Sequence, residues 1–186
     1  MSIEEIRLLE REMAPPFPDS PLDCFGWAPY DLDVFDRLLS AAIGAARGSA
    51  FLDAGCGLGT KCLRAAERGL TAYGIDRVPA YVKRAAQLGV SCEVADVREW
   101  KRYGEFSIVY VSHPLRPGAE ESFETWLHGQ MAPGSVLMTP RIGSVPGDWK
   151  VVLEEEYQRP YSEAPRRRGV YVKPPERKSH AGQAAP

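Results

Sequence analysis

The sequence predicts an α/β fold: a mostly parallel, doubly wound sheet of seven strands, with a C-terminal antiparallel pair at one edge. Three observations predict it. Between residues 31 and 139, short apolar runs alternate with segments of helical periodicity, the pattern of βαβ units. The first three apolar runs each end in an acid: Asp53, Asp76 and Asp96. After residue 148 the helical segments stop, and two β-rich runs follow one another, as an added antiparallel pair requires.

Each element has its own justification. Residues 2–13 read as a short helix, with Ile3, Ile6, Leu9 and Met13 near one face. Prolines from Pro15 to Pro29 forbid regular helix and leave an extended loop carrying Phe17, Phe25, Trp27 and Tyr30. Residues 1–30 are thus expected to form a helix followed by a lid or substrate loop. Asp31 opens a helix in which Leu32, Phe35, Leu38, Leu39 and Ile43 repeat at helical spacing. Ala50 to Asp53 is a buried strand, and a glycine-rich turn, Gly55 to Thr60, leads into a helix over 60–68. Thr71 to Ile75 is the second strand. Pro79 to Leu88 is a helix, with proline at its start and Gly89 after its end. Ser91 to Ala95, residues 106–112 and residues 135–139 are the next strands, with a helix over Glu121 to Met131 before the last. Trp149 to Tyr157 and Gly169 to Lys173 form the closing pair, joined by a polar loop over Arg159 to Arg168. The expected domain is 31–173, and the Pro, Lys, Ala and Gly-rich segment 174–186 is an expected disordered tail.

Composition bounds the function classes. A chain of 186 residues is one domain by default, and buries roughly 70% of its unfolded surface. Its 44% apolar and 26% charged content is that of a globular protein. No apolar run is long enough to span a membrane, and the acidic start MSIEEIRLLEREM lacks the features of a secretory leader. The net charge of −2 is no global signature of nucleic-acid binding. Cys24, Cys56, Cys62 and Cys92 form no C-x-x-C pair, and with three histidines there is no clustered metal-ligand spacing. The expectation is reduced thiols in a cytoplasmic protein without a metal.

In an open α/β sheet, ligands sit outside the carboxyl ends of the strands, where the acids and glycines fall here. A dinucleotide turn, G-x-G-x-x-G, fails at its third glycine, because Thr60 stands there. No phosphate-binding Gly-Lys-Ser/Thr order occurs, since Lys61 follows Thr60. The frame D-x-G-x-G-x-G, made by Asp53, Gly55, Gly57 and Gly59, matches in full. It resembles motif I of the class I S-adenosylmethionine-dependent methyltransferases. Asp76, 17 residues after Gly59, matches the family's acid at the end of the second strand, and Asp96 the acid after the third. Ser112-His113-Pro114-Leu115 matches the motif that follows the fourth strand. Met131 to Leu137 is similar to the turn into the fifth, with Ser135 where a second glycine is usual. The resemblance covers residues 31–173.

The resemblance implies a Rossmann-like fold, S-adenosyl-L-methionine as cofactor, and methyl transfer. It implies cofactor contacts from Tyr30, Asp53, Ala54, Gly55, Cys56, Gly57, Asp76, Arg77, Asp96, Val97 and Ser112. Asp76 would take the ribose hydroxyls, Asp96 the adenine amino group, the Val97 backbone the adenine edge, and Asp53 the ammonium. Cys56 is a small loop residue rather than a nucleophile. His113 is the candidate general base for an oxygen acceptor. Members that methylate exocyclic amines of bases or glutamine often carry Asn/Asp-Pro-Pro-aromatic where this chain has Ser112-His113-Pro114-Leu115, a departure that argues against such N-methylation.

The expected acceptor is a small molecule. RNA or protein is the alternative, through the basic stretch 163–178 with its six basic and two acidic residues. A second alternative is a non-catalytic cofactor-binding or scaffold protein of the same fold. A third is aminopropyl transfer, which wants more acids around the acceptor than Ser112-His113-Pro114 offers. His128 is expected on the surface of its helix.

Overall fold

The computed structural model describes residues 4–6, 8, 31–112, 120–142, 145–157 and 166–175. Residues 4–6 and 8 are helical, and Ile6 is buried, as its place in the apolar stripe predicts. Tyr30, His113, Cys24, most of the expected lid and the expected tail lie outside the described residues.

Asp31 caps α1 (Leu32–Ala45), its carboxylate accepting the amides of Asp33 and Val34 at 2.9 and 3.3 Å. One face of α1 then buries Leu32, Val34, Phe35, Leu38, Leu39 and Ala42. The chain continues through β1 (Ala50–Ala54), α2 (Thr60–Glu67), β2 (Thr71–Asp76), α3 (Pro79–Gln87) and β3 (Cys92–Val94). A short 3-10 turn, Arg102–Glu105, leads to β4 (Ile108–Val111). Then come α4 (Glu120–Gln130), β5 (Val136–Ile142), β6 (Lys150–Tyr157) and β7 (Arg166–Val172). Helices α2 and α3 each stop at a glycine in the left-handed region, Gly69 and Gly89, both with φ of 85°.

The seven strands form one sheet in the order β3-β2-β1-β4-β5-β7-β6. The first five are parallel, and β7 runs antiparallel to both β5 and β6. The strand order reverses between β1 and β4, so their carboxyl ends flank the switch point where such sheets hold ligands.

Alternation along the strands sorts the core into two layers. Phe51, Ile108, Tyr110, Val136, Met138 and Val170 meet α1 and α2. Leu52, Ala54, Val109, Val111, Leu137 and Tyr171 meet α4, Trp149 and the aromatic group Trp100, Tyr103 and Phe106. Only the 3-10 turn bridges β3 and β4 on this second face. Its place is filled by rings: Trp100 stands edge-on to Tyr103 at 5.1 Å, Tyr103 edge-on to Trp126 at 5.6 Å, and Tyr73 lies 6.2 Å from Phe106. Large aromatic areas cover here what a crossover helix would otherwise cover.

Two sequence expectations need correction. Arg166 to Arg168 belongs to β7, not to a loop. In the ladder Arg168 stands opposite Glu155 and Arg167 opposite Glu156, so the acidic run of β6 draws the basic run into strand pairing. His128 is buried rather than on the surface, because Trp149 packs on its imidazole at 4.9 Å. Burial, aided by Lys173, lowers its pKa to about 4.

Candidate functional site

The turn after β1 is shaped by three glycines in the left-handed region: Gly55, Gly57 and Gly59, with φ of 93°, 51° and 76°. Gly59 also needs its lack of a side chain. A Cβ there would lie 2.8 Å from Val90 Cγ2 and 3.1 Å from Ala85 Cβ. The turn is laced to the end of β2. The amides of Gly55 and Cys56 both donate to the Ile75 carbonyl, at 2.8 and 2.9 Å, and the amide of Gly57 donates to Asp76 Oδ2 at 2.8 Å. Cys56 packs inward over Gly74, and its thiol pKa is pushed up by burial. Its environment is that of a packing residue, not of an activated nucleophile.

The three strand-end aspartates have different surroundings. Asp53, on β1, is only 2% exposed. Burial raises its pKa to about 7, with Lys61 opposing the shift and Asp76 adding to it. Asp76 accepts the Gly57 amide on Oδ2 and the Val78 amide on Oδ1, both at 2.8 Å. Burial raises its pKa, and those amides hold it back. Asp96 lies two residues beyond β3 and is gripped by Arg98. The guanidinium meets it at 2.9 and 2.6 Å, and the Arg98 amide meets it at 2.9 Å. The Arg98 hydrogen bonds lower its pKa.

The remaining residues surround the same end of the sheet. Ala54 closes β1 and is fully buried. Arg77 follows Asp76, with Nε 3.7 Å from Asp96 Oδ2. Val97 is buried, and its carbonyl accepts the Tyr103 hydroxyl at 2.7 Å. Ser112, half-buried, follows the last residue of β4. The described members of the set, from Asp53 to Ser112, thus come together at the carboxyl ends of β1 to β4.

Sequence reasoning missed two participants. Arg98, the clamp on Asp96, leaves no signal beyond its sequence proximity. Lys61 was legible: it precedes the fully buried Ala65 by one helical repeat of four, on the inward stripe of α2.

No protein-family model and no curated protein matches the sequence. Solved structures do match. An RNA methyltransferase from Salinibacter ruber, in complex with S-adenosyl-L-homocysteine, gives a TM-score of 0.61 at 22% identity, over 84% of this chain and 100% of that one. A putative methyltransferase from Escherichia coli gives 0.62 at 18%, over 83% and 92%. Magnesium protoporphyrin IX methyltransferase from Synechocystis, with its bound methyl donor, gives 0.57 at 16%, over 80% and 86%. At these identities the likeness is one of fold: the seven-stranded, Rossmann-like architecture of the class I S-adenosylmethionine-dependent methyltransferases.

Proposed function

We propose that this protein is an S-adenosyl-L-methionine-dependent methyltransferase acting on a small-molecule acceptor. The observation that carries the reading is that Asp53 and Asp76 stand at the ends of the adjacent strands β1 and β2, with Asp76 tied to the glycine turn by the Gly57 amide. The donor set suits an adenosyl amino acid. A buried carboxylate that holds its proton up to about pH 7 is one that a cationic ligand group would restore to its charged form. A carboxylate offers roughly four lone-pair sites. Asp76 accepts the Gly57 amide on one oxygen and the Val78 amide on the other, with the Arg77 amide also lowering its pKa, and it keeps acceptor capacity for the ribose.

In this reading Asp53 pairs with the donor's ammonium and Asp76 orients its ribose. Ala54, Gly55, Cys56 and Gly57 form the wall beneath it. Arg77, Asp96 and Val97 border the adenine, with Arg98 fixing the Asp96 carboxylate, and Tyr30 and Ser112 border the methionine end. When bound, the donor supplies a methyl group already activated by a positively charged sulfur. The protein's part is then to hold the acceptor in line at about 3 Å and to exclude water. His113 takes the acceptor proton where the acceptor is a hydroxyl.

A small acceptor is favoured over RNA because two arginines of the basic run are already paired with acids. Arg168 meets Glu155 at 2.8 Å and Arg167 meets Glu154 at 3.5 Å. Among the described residues no helix is long and apolar enough to cross a membrane. Cys56, Cys62 and Cys92 are free thiols, which supports a cytoplasmic setting.

Calorimetry with S-adenosylmethionine and S-adenosylhomocysteine tests the reading. Both are expected to bind one to one. Asp76→Ala is expected to weaken binding by roughly ten- to a hundredfold, the worth of charge-assisted hydrogen bonds of about 1.5–3 kcal/mol. Absence of binding to the full chain rejects it.

A further inference from the structure

Lysines normally extend along a surface and keep the ammonium in water. Lys61, in the first turn of α2, is instead only 7% exposed. Its ammonium lies 6.0 Å from the centre of the Phe35 ring, which is fully buried. Phe35 stands edge-on to Tyr110 at 5.1 Å, and Tyr110 is the ladder partner of Asp53 across β1 and β4. Asp53 shares its face of β1 with Phe51, which also meets Phe35 and Tyr110. Lys61 and Asp53 are therefore turned into the same layer, between the sheet and helices α1 and α2.

Among the described residues, the other groups that act on Asp53 do not supply a positive charge. β2 presents Asp76, and the turn and α2 present the Cys56 and Cys62 thiols, both held protonated by burial. β4 presents Tyr110 and α1 presents Phe35. The outward acid of α1, Asp36, is paired with Arg64. Burial and Asp76 both favour a protonated Asp53, and Lys61 opposes them.

We propose that Lys61 is a positioning residue for the methyl donor: turned into the same buried layer as Asp53, its ammonium favours the carboxylate form that the donor's ammonium requires. This inference rests on the donor site proposed above. Without Lys61, the donor's ammonium would have to displace the Asp53 proton over a wider range of pH in order to bind. Lys61 itself need not touch the donor.

The test reads Asp53 twice. The side-chain carboxyl carbon resonance of Asp53, followed by NMR in the full chain without donor from about pH 5 to about pH 9, gives its protonation midpoint. That midpoint is expected near 7 in the wild type. It is expected to rise by about one pH unit or more in Lys61→Met and to return in Lys61→Arg. Calorimetry with S-adenosylmethionine over the same range should give an affinity profile displaced to alkaline pH by the same amount. Below the midpoint, each unit of displacement weakens binding about tenfold. Lys61→Gln repeats the comparison if Lys61→Met loses its fold. A purely structural role for Lys61 would lower affinity at every pH without moving the midpoint. An unmoved midpoint with wild-type binding intact overturns the role of Lys61 alone. No donor binding by the wild type at any pH overturns the donor site beneath it.

Discussion

The β6–β7 hairpin and the carboxyl ends of β1 and β2 are both rich in charge, and they handle it in opposite ways. On the hairpin, Glu155 meets Arg168 at 2.8 Å and Arg37 at 3.1 Å, and Glu154 accepts the Tyr171 hydroxyl at 2.7 Å. These groups sit near water and are matched in sign, so the arrangement is locally neutral and cheap to hold. At the end of β1, Asp53 is buried next to a second acid, and one lysine offsets only part of the cost. A fold has no reason of its own to keep such a carboxylate. The contrast supports the proposed site at the ends of β1 and β2, and in that reading the charged hairpin serves as scaffold.

The sharpest way to break this contrast is Asp53→Asn. The folded state holds the Asp53 proton up to about pH 7, whereas an unperturbed aspartate releases it near 3.8. Across that window the folded state binds more protons, so this group makes stability fall as pH rises, with the full penalty present above about 7. The neutral amide escapes the penalty. Denaturant unfolding at about pH 8 should find Asp53→Asn more stable than the wild type by up to about 4 kcal/mol, with the gain absent near pH 4. Donor binding should fall by about a hundredfold or more. A variant that loses stability at alkaline pH and still binds the donor contradicts the assignment.

Glycine substitutions sharpen the comparison within the active half. Gly59 and Gly69 both sit in the left-handed region, with φ of 76° and 85°, but only a Cβ at Gly59 would meet neighbours, Val90 and Ala85. Gly69→Ala is expected to cost about 1 kcal/mol, for backbone strain alone. Gly59→Ala adds overpacking and should cost about 3 kcal/mol in total. It should also weaken donor binding, by tilting the turn. Equal losses in thermal unfolding would remove the close approach of α3 from the account.

The smallest effect belongs to the hairpin. Arg168→Ala removes one partner of Glu155, and should change stability by no more than about 1 kcal/mol. S-adenosylmethionine affinity should be unchanged. A large loss of donor affinity would show that the two ends of the sheet are coupled.

Much of the fold was legible because its signals are local. The Asp31 cap, the proline opening α3 and the glycines closing α2 and α3 each act within a few residues. The boundary of β7 was not legible, because a run of arginines reads as a loop until Glu155 and Glu156 stand opposite Arg168 and Arg167. His128 was misread for the same reason: Trp149, which buries it, comes from a turn 21 residues further on. In the candidate site the carboxylates and glycines carried a pattern. Of their partners, Lys61 left only its place on the inward stripe of α2 and Arg98 left no pattern, because a cation's value to an acid depends on where the helix and the turn aim it.

The claim on which the account stands is that an adenosyl amino acid lies across the carboxyl ends of β1 and β2. A crystal structure of the full chain with S-adenosylhomocysteine measures it directly. The account predicts ribose hydroxyls within hydrogen-bonding distance of Asp76, and the ligand's ammonium on the Asp53 side of the glycine turn. Ligand density at any other face of the sheet, or a ribose turned away from Asp76, would contradict it.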